Sequence, residues 1–369
     1  MAERDPFVYA HQPENRDRIV WMSQNTNHIP TTPAIGEAVK KALAEKEFSL
    51  YPYWKGVQEL RDEVVRDLHA EGYDSLITNG AIEALYIANR ALLKPGDEVI
   101  ATDPSFMPIH HQVSLSDAKP IEIDIYKKPW RLTPEEVESH ITRKTKIILL
   151  IDPHNPMGSE YTRDEVKAIS ESAKKHDLYL IDDVTYKDFA FRHTLTTEFY
   201  PEKTILIYSF SKNCGMAGMR VGALLAPPDL MKIMEPYNTN VLSVNILAQR
   251  AALSALKTKE KWIGNVVGVC RENQRLIKEA VDKIEGAFLP VYPSSTNMFP
   301  VDISGTGLEP DEVQKKLLYE HDVFVRSGRY VSKKLGARFI RVSFSVPTDG
   351  CRKFVEALPV VIEELREKK

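Results

Sequence analysis

The chain has 369 residues, 43% of them hydrophobic, and its 49 basic and 52 acidic side chains leave a net charge of -3. That length buries a large core with room for two lobes, and so even a charge balance gives no reason to expect nucleic acid or an anionic membrane as partner. The charged start Met1-Ala-Glu-Arg-Asp5 lacks the apolar run of a secretory signal, no apolar stretch reaches bilayer length, and three scattered cysteines (Cys214, Cys270, Cys351) imply neither disulfides nor a metal, so a soluble, cytoplasmic protein of enzyme size is expected.

The first 30 or so residues show no clear periodicity. They are expected to form an arm, packed either on a small lobe or on a neighbouring subunit. Gly80 opens a helix through Ile82, Leu85 and Ala88 that stops at Lys94-Pro95-Gly96. Short apolar runs then alternate with helical patterns: Glu98–Thr102, Ile121–Ile125, Ile147–Ile151, Leu178–Ile181, Thr204–Tyr208 and Val221–Ala226. These runs are rich in Ile, Leu and Val and mostly continuous, as strands buried on both faces are. Between them, Thr133, Pro134 and Glu136 start one helix. Thr162 with Glu165 makes a capping box ahead of Val166, Ile169 and Ala173. The alternation predicts a mostly parallel α/β sheet over about residues 50–230. Beyond it, helical patterns (Leu247–Leu256, Trp262–Ile284, Asp311–His321) precede strand-like Phe299–Ile303, Val323–Val325 and Arg338–Phe344, then a last helix, Cys351–Glu367. This reads as a smaller α+β lobe. The expected division is an arm with part of the small domain (1–45), a large domain (46–255) and a small C-terminal domain (256–369).

Ligands of open parallel sheets bind beyond the carboxyl ends of the strands. The segments there are Asp103-Pro-Ser-Phe106, Asp152-Pro-His-Asn155-Pro-Met-Gly158, Asp182-Asp183-Val-Thr-Tyr186 and Ser209-Phe-Ser-Lys212-Asn-Cys-Gly215. Successive strand ends thus deliver an aromatic ring, an amide, a carboxylate with a phenol, and a lysine with hydroxyls. Thr78-Asn79-Gly80-Ala81 opens a helix whose free N–H groups suit a phosphate. Each part alone has an ordinary explanation. An acid at a strand end usually caps a turn, Asn-Pro usually marks one, and a lone lysine is usually solvated. Their occurrence in order along one sheet edge is what argues for a site.

Taken together, these segments resemble the fold-type I, pyridoxal-phosphate-dependent aminotransferases of class I/II, over nearly the whole length. The most specific piece is Ser209-Phe-Ser-Lys212 with Arg220 eight residues on, in Gly218-Met-Arg220-Val-Gly222. Asn155-Pro-Met-Gly158 is similar to the family's Asn-Pro-Thr-Gly, with methionine in place of threonine. Asp183-x-x-Tyr186, Thr78-Asn-Gly-Ala-Ile-Glu-Ala-Leu85 and Arg341-Val-Ser-Phe344 match as well. Tyr51 with Gly56, Leu60 and Arg61 resembles the segment that reaches into the partner subunit's site.

The resemblance implies a seven-stranded, mostly parallel sheet between helices plus a smaller α+β domain, with pyridoxal 5'-phosphate held as an imine on Lys212. It implies that Lys212 shuttles a proton and that Asp183 pairs with the ring nitrogen. Asn155 and Tyr186 would donate to the ring's phenolic oxygen, and Phe106 would stack on its face. Gly80, the N–H groups of Ala81 and Ile82, Ser209, Ser211 and Arg220 would hold the phosphate, joined by Tyr51 of a second subunit in a homodimer with shared sites. Arg341 would bind the substrate carboxylate, with Arg326 a second anion ligand and Asn27 a further substrate contact. Substrates would be an L-amino acid and a 2-oxo acid. Asn25-Thr-Asn27, Tyr51-Pro52 and Val325-Arg326 are similar to the histidinol-phosphate aminotransferase branch, while aspartate and aromatic aminotransferases share the same core. The alternative reaction on this fold is decarboxylation or β-elimination by a lyase. A regulator carrying the cofactor would need a DNA-binding lobe, for which the N-terminal stretch is too short and the charge not basic. Gly215-x-x-Gly218 is not a dinucleotide fingerprint.

Overall fold

A computed structural model gives the fold and describes residues 5–368. In chain order the strands are β1 (Val20–Trp21), β2 (Asp74–Thr78), β3 (Glu98–Asp103), β4 (Lys119–Asp124), β5 (Thr145–Ile151), β6 (Tyr179–Asp183), β7 (Thr204–Ser209), β8 (Gly222–Ala226), β9 (Met298–Asp302), β10 (Val323–Phe324), β11 (Arg326–Ser327) and β12 (Phe339–Ser343).

Strands β2 to β8 form one seven-stranded sheet in the order β2-β8-β7-β6-β5-β3-β4. Strands β3 to β7 pair in parallel, and β8 runs antiparallel to both its neighbours, β7 and β2. Only β8 therefore opposes the rest of this sheet. Alternate residues feed opposite cores. Ile147, Leu149 and Ile151 pack with Leu85, Ala88 and Ile109, whereas Ile148 and Leu150 pack with Val137, Val166 and Ile169. Both faces are covered, which is why the runs read as continuously apolar. The capping box at Thr162 forms, its N–H donating to Glu165 at 2.8 Å to start the helix Arg163–Lys175, and the helix start at Thr133 is a capping box too, with Thr133 N donating to Glu136 at 3.1 Å ahead of Pro134–His140.

Strands β11, β12 and β9 make a separate antiparallel sheet in that order. The arm packs on the C-terminal third of its own chain: β1 pairs with β10, and the Phe7 ring meets Phe324 edge-on at 5.0 Å. Among the described residues no helix is long and apolar enough to cross a membrane.

A half-buried charge network lies close behind the sheet edge. Lys259 Nζ donates to Asp67 at 2.7 Å and Asp188 at 2.6 Å, Lys187 bridges the same two acids, and Tyr208 donates to Asp67 at 2.9 Å. Asp188 also accepts from Asn213, the residue after Lys212. Burial alone would raise the Asp188 pKa, but Lys187 and Lys259 outweigh it and bring it down to about 2. Asp188→Ala would leave two ammonium groups sharing Asp67. It is expected to destabilise the fold by about 3 kcal/mol, read from urea unfolding at neutral pH. Because the folded-state pKa is depressed, this contribution is present above the unfolded value and is lost as the pH falls through about 2.

Candidate active site

Thr78 at the end of β2 and Ser209 at the end of β7 both pair with Gly222, the first residue of β8. The loops leaving β2 and β7 therefore meet the loop entering β8. This brings Gly80-Ala81-Ile82, Ser209 to Ser211 and Arg220 together. A side chain at Gly222 would lie 2.5 Å from Ala81 N, so only glycine allows this approach. Gly80 precedes the helix Ala81–Leu92 at φ +78° and gives it no side-chain cap, so the first N–H groups stay free. A Cβ on Gly80 would run into the Arg220 guanidinium. Arg220 has left-handed backbone at φ +55° and donates to the carbonyls of Ala217 at 3.0 Å and Asn79 at 3.3 Å. An uncapped helix start, two hydroxyls and a guanidinium make an anion cradle.

The other strand ends open on the same cavity, of about 420 Å³, lined by Phe106, Asn155, Asp183, Tyr186, Lys212 and the cradle. Lys212 Nζ donates to Gln24 O at 2.9 Å. Burial, then Arg341 and Arg220, lower its pKa to about 7. Asp183 accepts on Oδ1 from both the hydroxyl (2.5 Å) and the N–H (3.1 Å) of Thr185. Burial still raises its pKa to about 6, so it would gain from a cation beside it. Asn155 accepts on Oδ1 from Arg341 at 3.2 Å, which leaves its NH₂ to donate elsewhere. Burial pushes the Tyr186 hydroxyl well above its ordinary range, so it stays a neutral donor.

Arg341 is 4% exposed, donates to Ser23 O at 2.7 Å, and keeps its Nε without a partner among the described residues. Arg326 lies directly opposite Arg341 in the β11–β12 register. Its guanidinium is stacked 3.9 Å from the Phe7 ring and 3.8 Å from Tyr330. Burial lowers its pKa to about 10, opposed by Tyr330 and assisted by Arg341. Among the described residues no carboxylate pairs with Arg220, Arg326 or Arg341. Among the described residues the cavity thus gathers Lys212 and three arginines against the single carboxylate of Asp183. Like charges facing each other across strands repel, so this wall is set up to receive anions.

Of the residues singled out from the sequence, Ala81, Ile82, Phe106, Asn155, Asp183, Tyr186, Ser209, Ser211, Lys212, Arg220, Arg326 and Arg341 line the cavity, and Gly80 shapes it from behind. Asn27 is not among the lining residues. Its NH₂ donates to Asn213 O at 2.9 Å and its Oδ1 accepts from Ile29 N at 2.9 Å, so the amide is occupied by backbone away from the cavity. Tyr51 is 78% exposed and outside its own chain's cavity. The sequence reading missed the wall made by Phe7, Ser23, Gln24, Asn25 and Thr26, together with Tyr330.

Comparison with known proteins follows the same lines. The family model for aminotransferase class I and II matches residues 17–358. An aspartate aminotransferase of Pyrococcus horikoshii is 29% identical over 352 residues, 92% of this chain and 88% of the relative. Aromatic-amino-acid aminotransferase 2 of Thermococcus litoralis is 28% identical over 354 residues, 92% and 90% of the two chains. The solved structure of Thermus thermophilus aspartate aminotransferase with maleate superposes at a TM-score of 0.82 and 24% identity, covering 98% of this chain and 100% of that one. That likeness is one of fold.

Proposed function

The chain belongs to the class I and II aminotransferases, and from that premise we propose how its own residues move an amino group between an L-amino acid and a 2-oxo acid with pyridoxal 5'-phosphate. The observation that carries the proposal is one cavity holding a lysine of lowered pKa beside a buried aspartate, with an anion cradle and two further arginines in its walls that have no carboxylate partner among the described residues. The cofactor fits this arrangement: its phosphate matches the uncapped helix start with Arg220, and a cationic ring matches Asp183, whose buried carboxylate lacks a cation that would offset its desolvation.

When bound, pyridoxal phosphate supplies an aldehyde for the amino group and an aromatic ring that draws electrons from Cα. Ala81, Ile82, Ser209, Ser211 and Arg220 would hold the phosphate. Asp183 would keep the ring nitrogen protonated. Asn155 and Tyr186 would donate to the phenolic oxygen, and Phe106 would cover a ring face. The Lys212 amine, neutral above about pH 7, would hold the cofactor and then move a proton at Cα. Arg341, fixed by Ser23 and Asn155, would bind the α-carboxylate.

Arg326 supports a substrate whose side chain ends in a second anion. The Phe7 and Tyr330 rings hold its guanidinium in the cavity wall, where its N–H groups would meet such an anion. The proposed homodimer rests on Tyr51 and its neighbours Phe48, Leu50 and Tyr53, all of them exposed apolar side chains in the single chain. Tyr51 would then reach the partner's phosphate cradle. The proposed large domain, residues 46–255, contains all seven strands of the main sheet.

Amino transfer from L-aspartate or L-glutamate to an added 2-oxo acid tests the reading. Product should depend on the acceptor, and ammonia release without one would contradict it. Arg341→Ala should lower kcat/KM for every amino acid by about 100-fold, the loss expected for one buried charge-assisted contact. Arg326→Ala should do so for the acidic substrates while sparing L-alanine, and equal losses for both would remove Arg326 from substrate choice.

A further inference from the structure

Asn25 is 2% exposed and sits where three parts of the chain meet. Its backbone carbonyl accepts from Asn297 Nδ2 at 3.0 Å, its side chain touches Met298 of β9, and its Nδ2 donates to the Tyr186 hydroxyl beyond β6 at 3.1 Å. The backbone is left-handed at φ +54°, a conformation that asparagine tolerates better than most residues. Both Asn25 and Tyr186 line the cavity, and Asn25 Oδ1 has no partner among the described residues.

A tyrosine hydroxyl has one hydrogen to give and accepts on its lone pairs. Where the Asn25 amide donates to it, the Tyr186 oxygen is the acceptor and its own hydrogen must point elsewhere. The ring is enclosed by protein, so the open direction is the cavity. Turning the amide end for end would set its oxygen against the Met298 sulfur, two acceptors together, so the donating orientation is preferred. The charged groups acting on this hydroxyl are Arg341 and Asp183, and neither forms a hydrogen bond to it.

We propose that Asn25 is a positioning residue that turns the Tyr186 hydroxyl hydrogen into the cavity, making the tyrosine a donor to the cofactor's phenolic oxygen. This rests on the reading of Tyr186 given above. No sequence signal marked Asn25 for this role, because its partner lies 161 positions away.

Two variants test it, followed by the visible absorbance of the holoenzyme against pH. Asn25→Asp keeps the shape but offers only acceptors, so it draws the phenolic hydrogen away from the cavity. Asn25→Gly removes the bond and keeps the left-handed backbone. Donation to a phenolic oxygen favours its ionised form and lowers the midpoint of the spectral titration. The midpoint should rise in Asn25→Gly and rise further, by about one pH unit, in Asn25→Asp, with kcat falling about tenfold and KM changing less. Tyr186→Phe should raise the midpoint as well, and adding Asn25→Asp to it should move nothing more. If Asn25→Asp leaves the midpoint in place, or shifts it equally without the tyrosine hydroxyl, the inference is overturned. If Tyr186→Phe itself leaves the midpoint unmoved, the reading of Tyr186 fails with it.

Discussion

Lys212→Ala protein is expected to retain the cofactor only non-covalently and to lose amino transfer by about 10⁴-fold, the upper range for removing a positioned acid–base group. The phosphate cradle does not include the lysine amine, so binding through Ala81, Ser209, Ser211 and Arg220 should survive. What is lost is the one amine that burial and two arginines hold near pKa 7. An ordinary lysine, at about 10.4, would be almost entirely protonated at neutral pH and unable to attack an aldehyde. The same property fixes a pH dependence in the unmodified protein. Because the pKa is lowered, the nucleophilic amine is present above about pH 7 and is lost below it. Covalent capture of pyridoxal phosphate by the apoprotein should therefore accelerate as the pH rises through about 7 and level off above it, measured by stopped-flow absorbance. A midpoint near 10 would mean that the amine is not held as described.

Asp183→Ala should bind the cofactor and keep its colour but lower kcat by about 10- to 1000-fold, the range given by removing an opposite charge that shifts a contact partner by 1–3 pKa units. The loss should fall on kcat, since Asp183 would act on the ring nitrogen while Arg341 would hold the substrate carboxylate. Asp183→Asn, which retains the shape and the Thr185 contacts in part, should be nearly as impaired. Near-normal turnover in either variant would remove Asp183 from the chemistry. The neighbouring acid makes a useful contrast. Asp182 points into the opposite core layer, where it accepts from the hydroxyl of Thr196 at 2.8 Å, as residues adjacent along a strand do. Asp182→Asn should therefore affect stability more than kcat.

Much of the large sheet was legible because strands covered on both faces are written as unbroken apolar runs, and Ile147–Ile151 or Thr204–Tyr208 need no partner to be recognised. Strand β2 was not among the runs. Asp74-Ser-Leu-Ile-Thr78 is short and begins with two polar residues, and its place is set by pairing with β8, 144 to 152 positions away by the registered partners Thr78↔Gly222 and Asp74↔Ala226. That these strand-end loops meet at one cavity was legible for a similar reason: each loop follows its own strand, so order along the chain becomes order in space. The opposite wall was not. Phe7 and residues Ser23 to Thr26 reach the cavity only because β1 pairs with β10 and Ser343 N donates to Met22 O at 2.9 Å, contacts with no local signature. Asn27 shows the same limit from the other side. The resemblance implied a substrate contact there, while in the fold its amide braces the backbone after Lys212. Arg326 and Arg341 were visible individually, but that they face each other across two strands is a fact of register.

The account stands on the amine of Lys212 being the group that carries the cofactor. Reducing the coloured holoenzyme with borohydride, digesting it and locating the pyridoxyl group by mass spectrometry measures this directly. The label is predicted on the peptide Ser211-Lys212-Asn213 and on no other lysine; a label elsewhere, or a coloured protein that borohydride leaves unlabelled at Lys212, would contradict it.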